Sequence, residues 1–71
     1  MCGIIGILSN ETVANRLIDG LSRLEYRGYD SSGIATVYNG SINRVRAEGK
    51  LQALRNTLET SPVNAFTGIA H

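Results

Sequence analysis

The chain has 71 residues, with one cysteine, one histidine and a formal net charge of +1, a size that corresponds to one domain or part of one. This composition excludes an internal disulfide and a structural zinc site, and it offers no basic surface for nucleic acid. No segment has the length to span a membrane or the pattern of an export signal, so we expect a soluble, cytoplasmic protein.

The first two predicted elements are a strand and a helix. Residues 3–8 are apolar and rich in β-branched side chains, which predicts a strand covered on both faces. Ser9 or Asn10 is a candidate N-cap for the helix that follows. The apolar residues of that helix recur at spacings of four, four and three, the pattern of an amphipathic helix: Val13, Leu17, Leu21 and Leu24. Gly28 is of the residue type that most often ends a helix.

A polar, turn-rich stretch at residues 25–33 contains Arg27 and Tyr29. Its two glycines and its lack of helical periodicity predict a loop. Composition alone leaves open whether this is an ordinary connection or a functional loop, because loops carry a large share of binding and catalytic residues.

A β-hairpin is predicted next. Residues 34–38 and 41–46 read as strands, and the Asn39-Gly40 pair between them is a strong signal for a two-residue turn. In the second strand the alternation turns Val45 and Ala47 inward and Arg44 and Arg46 outward. Ile42 does not fit this alternation, which indicates a bulge or a two-sided environment.

The remaining elements are a helix at residues 50–59, with three leucines on one face, and a short strand at residues 66–71. Ser61-Pro62 ends the helix. The predicted order is therefore strand, helix, hairpin, helix, strand, an α+β arrangement. So few elements cannot cover a first strand on both faces, so we expect an incomplete domain.

Cys2 is the candidate for chemistry in the opening segment. Removal of Met1 would give Cys2 a free α-amino group, which loses its proton more readily than a lysine and can accept a proton from the thiol. Such a residue suits acyl transfer from a carboxamide through a thioester. The alternative is a small buried hydrophobe without reactivity. A second catalytic arrangement would pair Cys2 with His71.

Two motifs resemble the class II glutamine amidotransferases, whose nucleophile is an N-terminal cysteine. The chain opens with Met1-Cys2-Gly3-Ile4-Ile5-Gly6, a moderately specific match. A more specific match to the glucosamine-6-phosphate synthase branch lies in residues 24–35, which include Tyr26-Arg27-Gly28-Tyr29-Asp30. Gly49-Lys50 and residues 67–71 are also similar, so the resemblance covers the whole chain.

This resemblance implies a fold, a reaction and a set of partners. The fold would be the four-layer αββα sandwich of N-terminal-nucleophile hydrolases, with Cys2 exposed by removal of Met1. Glutamine would be cleaved through a Cys2 thioester, and its ammonia would pass to fructose 6-phosphate to give glucosamine 6-phosphate. Members are cytoplasmic homodimers or larger assemblies, and no metal or organic cofactor is implied.

The resemblance also implies what these residues lack. In the family, the glutamine-closing loop, the oxyanion donors and the sugar isomerase domains follow the segment that ends at His71. Residues 1–71 would then be the N-terminal portion of a type-2 glutaminase domain, inactive by itself. Arg27 and Tyr29 match positions near the boundary with the synthase half, which implies a role in the ammonia channel or in coupling between domains.

Two alternatives remain open from the sequence. One is a different class II amidotransferase, against which the two tyrosines beside Arg27-Gly28 argue. The other is a non-catalytic α+β module that binds a partner chain, which the shortage of covering layers would also explain.

Overall fold

The fold is a four-stranded antiparallel sheet with two helices. A computed structural model describes residues 3–24 and 31–71. The elements in chain order are β1 (Ile5–Leu8), α1 (Ala14–Leu24), β2 (Ser31–Tyr38), β3 (Ser41–Glu48), α2 (Leu51–Thr60) and β4 (Thr67–Ala70). This confirms the predicted α+β class and the order of the elements.

β4 is the last strand in the chain, but it lies inside the sheet. The strand order is β1-β4-β2-β3, and every neighbouring pair is antiparallel. Ala70 of β4 is the register partner of both Ile5 in β1 and Ile34 in β2. The sheet therefore closes only when the C-terminal strand enters between β1 and the hairpin.

The hairpin turn forms as predicted. Asn39 and Gly40 both have positive φ, at 52° and 77°, and Tyr38 pairs with Ser41 across them. Two residues in this conformation match the twist of the flanking strands. The pairing runs without interruption from Ser31–Glu48 to Tyr38–Ser41, so Ile42 makes no bulge.

Both helices cover the same face of the sheet. Their buried side chains form one cluster with the inward residues of the strands: Val13, Leu17, Ile18, Leu21, Ile34, Leu51, Leu54, Leu58, Val63, Ala65 and Ala70. Val45 and Ala47 pack against this cluster, as the alternation predicts. Leu24 does not belong to it and is exposed, so the helical stripe ends one position earlier than predicted.

The opposite face of the sheet, here called the open face, is not covered by the described residues. It carries large aliphatic side chains, including Leu8 at 86% exposure and Ile69 at 57%. The cover predicted on both faces of the first strand is therefore absent from this part of the chain. Ile42 also lies on the open face, which explains why it breaks the hydrophobic alternation.

Two boundaries differ from the predicted ones. α1 begins at Ala14, and the Ser9 hydroxyl oxygen accepts the Glu11 backbone N–H at 3.1 Å instead of capping a helix. The chain first runs along β4, where the Val13 N–H donates to the Ala65 carbonyl at 2.9 Å. β2 begins at Ser31, so the predicted loop is a strand over its last three positions.

Candidate functional site

The three residues that the sequence proposes for chemistry or coupling are Cys2, Arg27 and Tyr29. All three, together with the predicted helix end at Gly28, lie outside the described residues. What the structure does define is the end of the sheet to which these stretches connect, through Gly3 on one side and Ser31 on the other.

The two connections enter the sheet at the same end. β1 and β2 each pair antiparallel with β4, so they run parallel to each other and begin at the same end of the sheet. One strand separates them, which places them about 10 Å apart. The topology therefore brings together the two parts of the sequence that contain the candidate nucleophile and the Arg27–Tyr29 motif.

The end of β4 completes this side of the sheet. The Gly33 N–H donates to the His71 carbonyl at 2.9 Å, and the His71 N–H donates to the Gly33 carbonyl at 3.0 Å. Ala70 points into the core, so the exposed His71 side chain lies on the open face. Because Cys2 is outside the described residues, a Cys2–His71 pair stays a prediction.

Ser32 is a feature that sequence reasoning missed. It is 1% exposed, and its hydroxyl oxygen has no hydrogen-bond partner. Buried hydroxyls usually have a partner, so this group is out of the ordinary. A serine in a turn-rich stretch gives no sign of burial, and the signal appears only once β2 is seen to begin at Ser31.

Two cavities lie near the described elements. One, of about 200 Å³, is on the open face and is lined by residues of β2, β3 and β4: Gly33, Ile34, Ala35, Arg44, Arg46, Ile69 and His71. A larger one, of about 340 Å³, lies among α1, α2 and residues 62–64 and contains none of the predicted site residues. The smaller cavity is thus the one at the candidate end of the sheet.

Two further findings concern residues 3–24 and 31–71 only. They contain no cluster of three or more histidine, cysteine, aspartate or glutamate side chains that could hold a metal ion. None of their helices combines the length and the apolar character needed to cross a bilayer.

Comparison with known proteins adds the decisive observation. No protein-family model matches the chain. Over all 71 residues it is 63% identical to glutamine–fructose-6-phosphate aminotransferase [isomerizing] of Bartonella quintana. It is 59% identical over 71 residues to the protein of that name in Brucella abortus and 58% identical to the one in Caulobacter vibrioides.

The chain is similar throughout to the N-terminal part of this aminotransferase. It spans 12% of the length of each of these relatives. The three aminotransferases share one printed name, which agrees with the glucosamine-6-phosphate synthase branch that residues 24–35 resemble and disfavours another class II amidotransferase.

Proposed function

We propose that residues 1–71 are the N-terminal portion of the type-2 glutamine amidotransferase domain of a glutamine–fructose-6-phosphate aminotransferase. The observation that carries this proposal is identity of 63% along the entire chain to an aminotransferase of that name. The sugar isomerase domains of such an enzyme would lie outside the 12% that the chain matches.

The proposed chemistry starts at Cys2. After Met1 is removed, the Cys2 thiol passes its proton to the free α-amino group, and the sulfur attacks the carboxamide carbon of glutamine. The carbon–nitrogen bond breaks, the nitrogen leaves as ammonia with that proton, and a γ-glutamyl thioester remains. Water then hydrolyses the thioester to glutamate and regenerates the thiol.

The second half of the reaction uses the ammonia. In the proposed whole enzyme, ammonia travels through an internal channel to fructose 6-phosphate, and the product is glucosamine 6-phosphate. Arg27 and Tyr29 contribute to the channel or to coupling between the domains. The sheet topology supports this, because the stretch that holds them joins β2 at the end where β1 begins.

The open face supports the proposed αββα architecture. A sheet whose two faces are both apolar needs a layer on each side, and the two helices supply only one. Ile69 and Leu8 project from the uncovered side at 57% and 86% exposure. A second sheet on that side, with its own helical layer, would complete the N-terminal-nucleophile sandwich.

Assembly and location follow from the same proposal. We place the enzyme in the cytoplasm, where a single unpaired cysteine stays reduced and where a sugar phosphate substrate is available. We propose a homodimer or larger homo-oligomer for the whole enzyme. The isolated 71 residues lack oxyanion donors and a substrate clamp in this scheme, so they do not turn over glutamine.

A chimera tests the proposal directly. The 71 residues replace the matching N-terminal segment of the Bartonella quintana aminotransferase, and product formation is measured with glutamine as nitrogen donor. We expect glutamine-dependent glucosamine 6-phosphate at a rate near that of the unmodified relative. A chimera that folds and uses ammonia, but not glutamine, would contradict the proposal.

The second candidate function is a non-catalytic α+β module whose open face binds a partner chain. The uncovered aliphatic residues favour it, because exposed apolar patches mark interaction surfaces. Limited proteolysis of the 71-residue chain separates the two. A protease-resistant monomer that unfolds cooperatively indicates a module, whereas rapid digestion or aggregation indicates part of a larger domain.

A further inference from the structure

Two arginines on the open face have no counter-charge. Arg44 and Arg46 are two residues apart on the same side of β3, so their side chains begin about 7 Å from each other. Within the described part of the chain the recorded ion pair joins Arg55 to Asp19 at 3.6 Å, and neither β3 arginine takes part in one. Like charges at this spacing repel each other unless an anion lies between them.

The neighbouring strand leaves room beside both arginines. Across β2, Arg46 is opposite Gly33 and Arg44 is opposite Ala35. A Cβ atom at Gly33 would lie 2.8 Å from Arg46 Cγ, so the arginine stem lies directly over the glycine. The small residues form a floor, and the arginine stems rise along one side of it.

The third strand closes the other side. In β4, Ile69 is the register partner of Ala35, and His71 is hydrogen-bonded to Gly33. The cavity of about 200 Å³ occupies the space between these residues and the two arginines. β3 and β4 are separated by one strand, or about 10 Å, which matches the width of a hydrated or directly bound oxyanion.

We propose that this cavity, the β3 cleft, binds a small oxyanion. The chemistry is that of a phosphate or carboxylate group held by two guanidinium forks, which match such groups in geometry and charge. The imidazole of His71 supplies a further polar contact from the opposite side. The cleft does not use Cys2, Arg27 or Tyr29, so it is independent of the proposed glutaminase reaction.

Arginine-specific chemical modification provides the test, with inorganic phosphate as the probe. The 71-residue chain, and separately the chimera, are treated with a dicarbonyl reagent at constant ionic strength, and each arginine is followed by mass spectrometry. At phosphate concentrations about ten times the dissociation constant, modification of Arg44 and Arg46 slows about tenfold. Arg16 and Arg23 on α1 serve as internal controls and are expected not to change.

Two matched variants sharpen the test. Ala35→Leu fills the floor of the β3 cleft while keeping both arginines, and it is expected to abolish their protection. Val37→Leu adds a methylene group on the same face of β2, one row outside the cleft, and is expected to leave protection intact. Protection of all four arginines alike, or of none in either protein, would overturn the proposal, as would equal protection in the two variants.

Discussion

Gly33 and His71 exchange two backbone hydrogen bonds, of 2.9 and 3.0 Å, and so fasten the start of β2 to the end of β4. The segment with Arg27 and Tyr29 leads into β2, and the N-terminal segment with Cys2 leads into β1 on the other side of β4. The end of β4 therefore holds together the two sequence motifs from which the proposed function is derived.

Gly68 is required where β4 crosses beneath α1. A Cβ atom there would lie 3.0 Å from the Ala35 carbonyl oxygen and 2.8 Å from Thr36 Cγ2. We expect Gly68→Ala to lower the free energy of unfolding by about 1–3 kcal/mol, because the backbone at Ala35 cannot move aside without cost. Urea unfolding of the 71-residue chain, followed by circular dichroism, measures this.

Gly6→Ala is the control for that substitution. Its Cβ would meet Ile69 Cγ2 at 3.6 Å, an ordinary contact, on the neighbouring strand of the same sheet. We expect the free energy of unfolding to stay within about 1 kcal/mol of the original value. Equal losses for the two variants would show that the close approach at Gly68 is not the cause.

The unpaired hydroxyl of Ser32 predicts a stabilising substitution. Its oxygen is buried without a hydrogen-bond partner, and such a group costs about 1–3 kcal/mol of desolvation that folding does not recover. We expect Ser32→Ala to raise the free energy of unfolding by about 1 kcal/mol, whereas Ser31→Ala at the neighbouring exposed position has little effect. A loss of stability in Ser32→Ala would mean that the hydroxyl has a partner in solution.

A charge on the open face tests the proposed sandwich. Ile69→Lys leaves the isolated chain within about 0.5 kcal/mol of its original stability, because the position is already exposed. In the chimera the same lysine would be buried beneath a second layer without a partner, so we expect loss of folded enzyme. Gln52→Lys on the exposed side of α2 is the control and leaves both proteins folded.

If the chimera carrying Ile69→Lys is as stable as the one carrying Gln52→Lys, no layer covers the open face. That result would remove the support that this face gives to the αββα architecture and would favour an open sheet.

Arg27 and Tyr29 predict a change in coupling. In the chimera, Arg27→Ala is expected to keep glutamine hydrolysis but to release part of the ammonia to solvent, so glutamate forms in excess of glucosamine 6-phosphate. Parallel assays of the two products measure the ratio. Arg23→Ala, on the exposed part of α1, is the matched control. Equal amounts of both products in Arg27→Ala would contradict a coupling role.

Local signals in the sequence predicted the local parts of the fold. Asn39 and Gly40 specify a two-residue turn through their own backbone preferences, and the structure has that turn. The start of α1 was predicted wrongly because Val13 is held by a hydrogen bond to Ala65, more than fifty residues away in the chain. No local pattern around Ser9 or Asn10 reports such a contact.

The same distinction applies to the candidate sites. Cys2 could be proposed from its own chemistry and from a motif beside it. The β3 cleft could not, because Arg46, Gly33 and His71 come together only when β4 enters the sheet next to β2. Hydrophobic alternation gives the face on which a residue lies, but it does not give the order of the strands.

The central claim is that Cys2 is the glutamine-cleaving nucleophile, and Cys2→Ala in the chimera tests it most directly. The rate of glucosamine 6-phosphate formation is measured with glutamine and, separately, with ammonia as nitrogen donor. We predict that the glutamine-dependent rate falls at least about a thousandfold while the ammonia-dependent rate is unchanged. Glutamine-dependent synthesis at the rate of the unsubstituted chimera would contradict the claim.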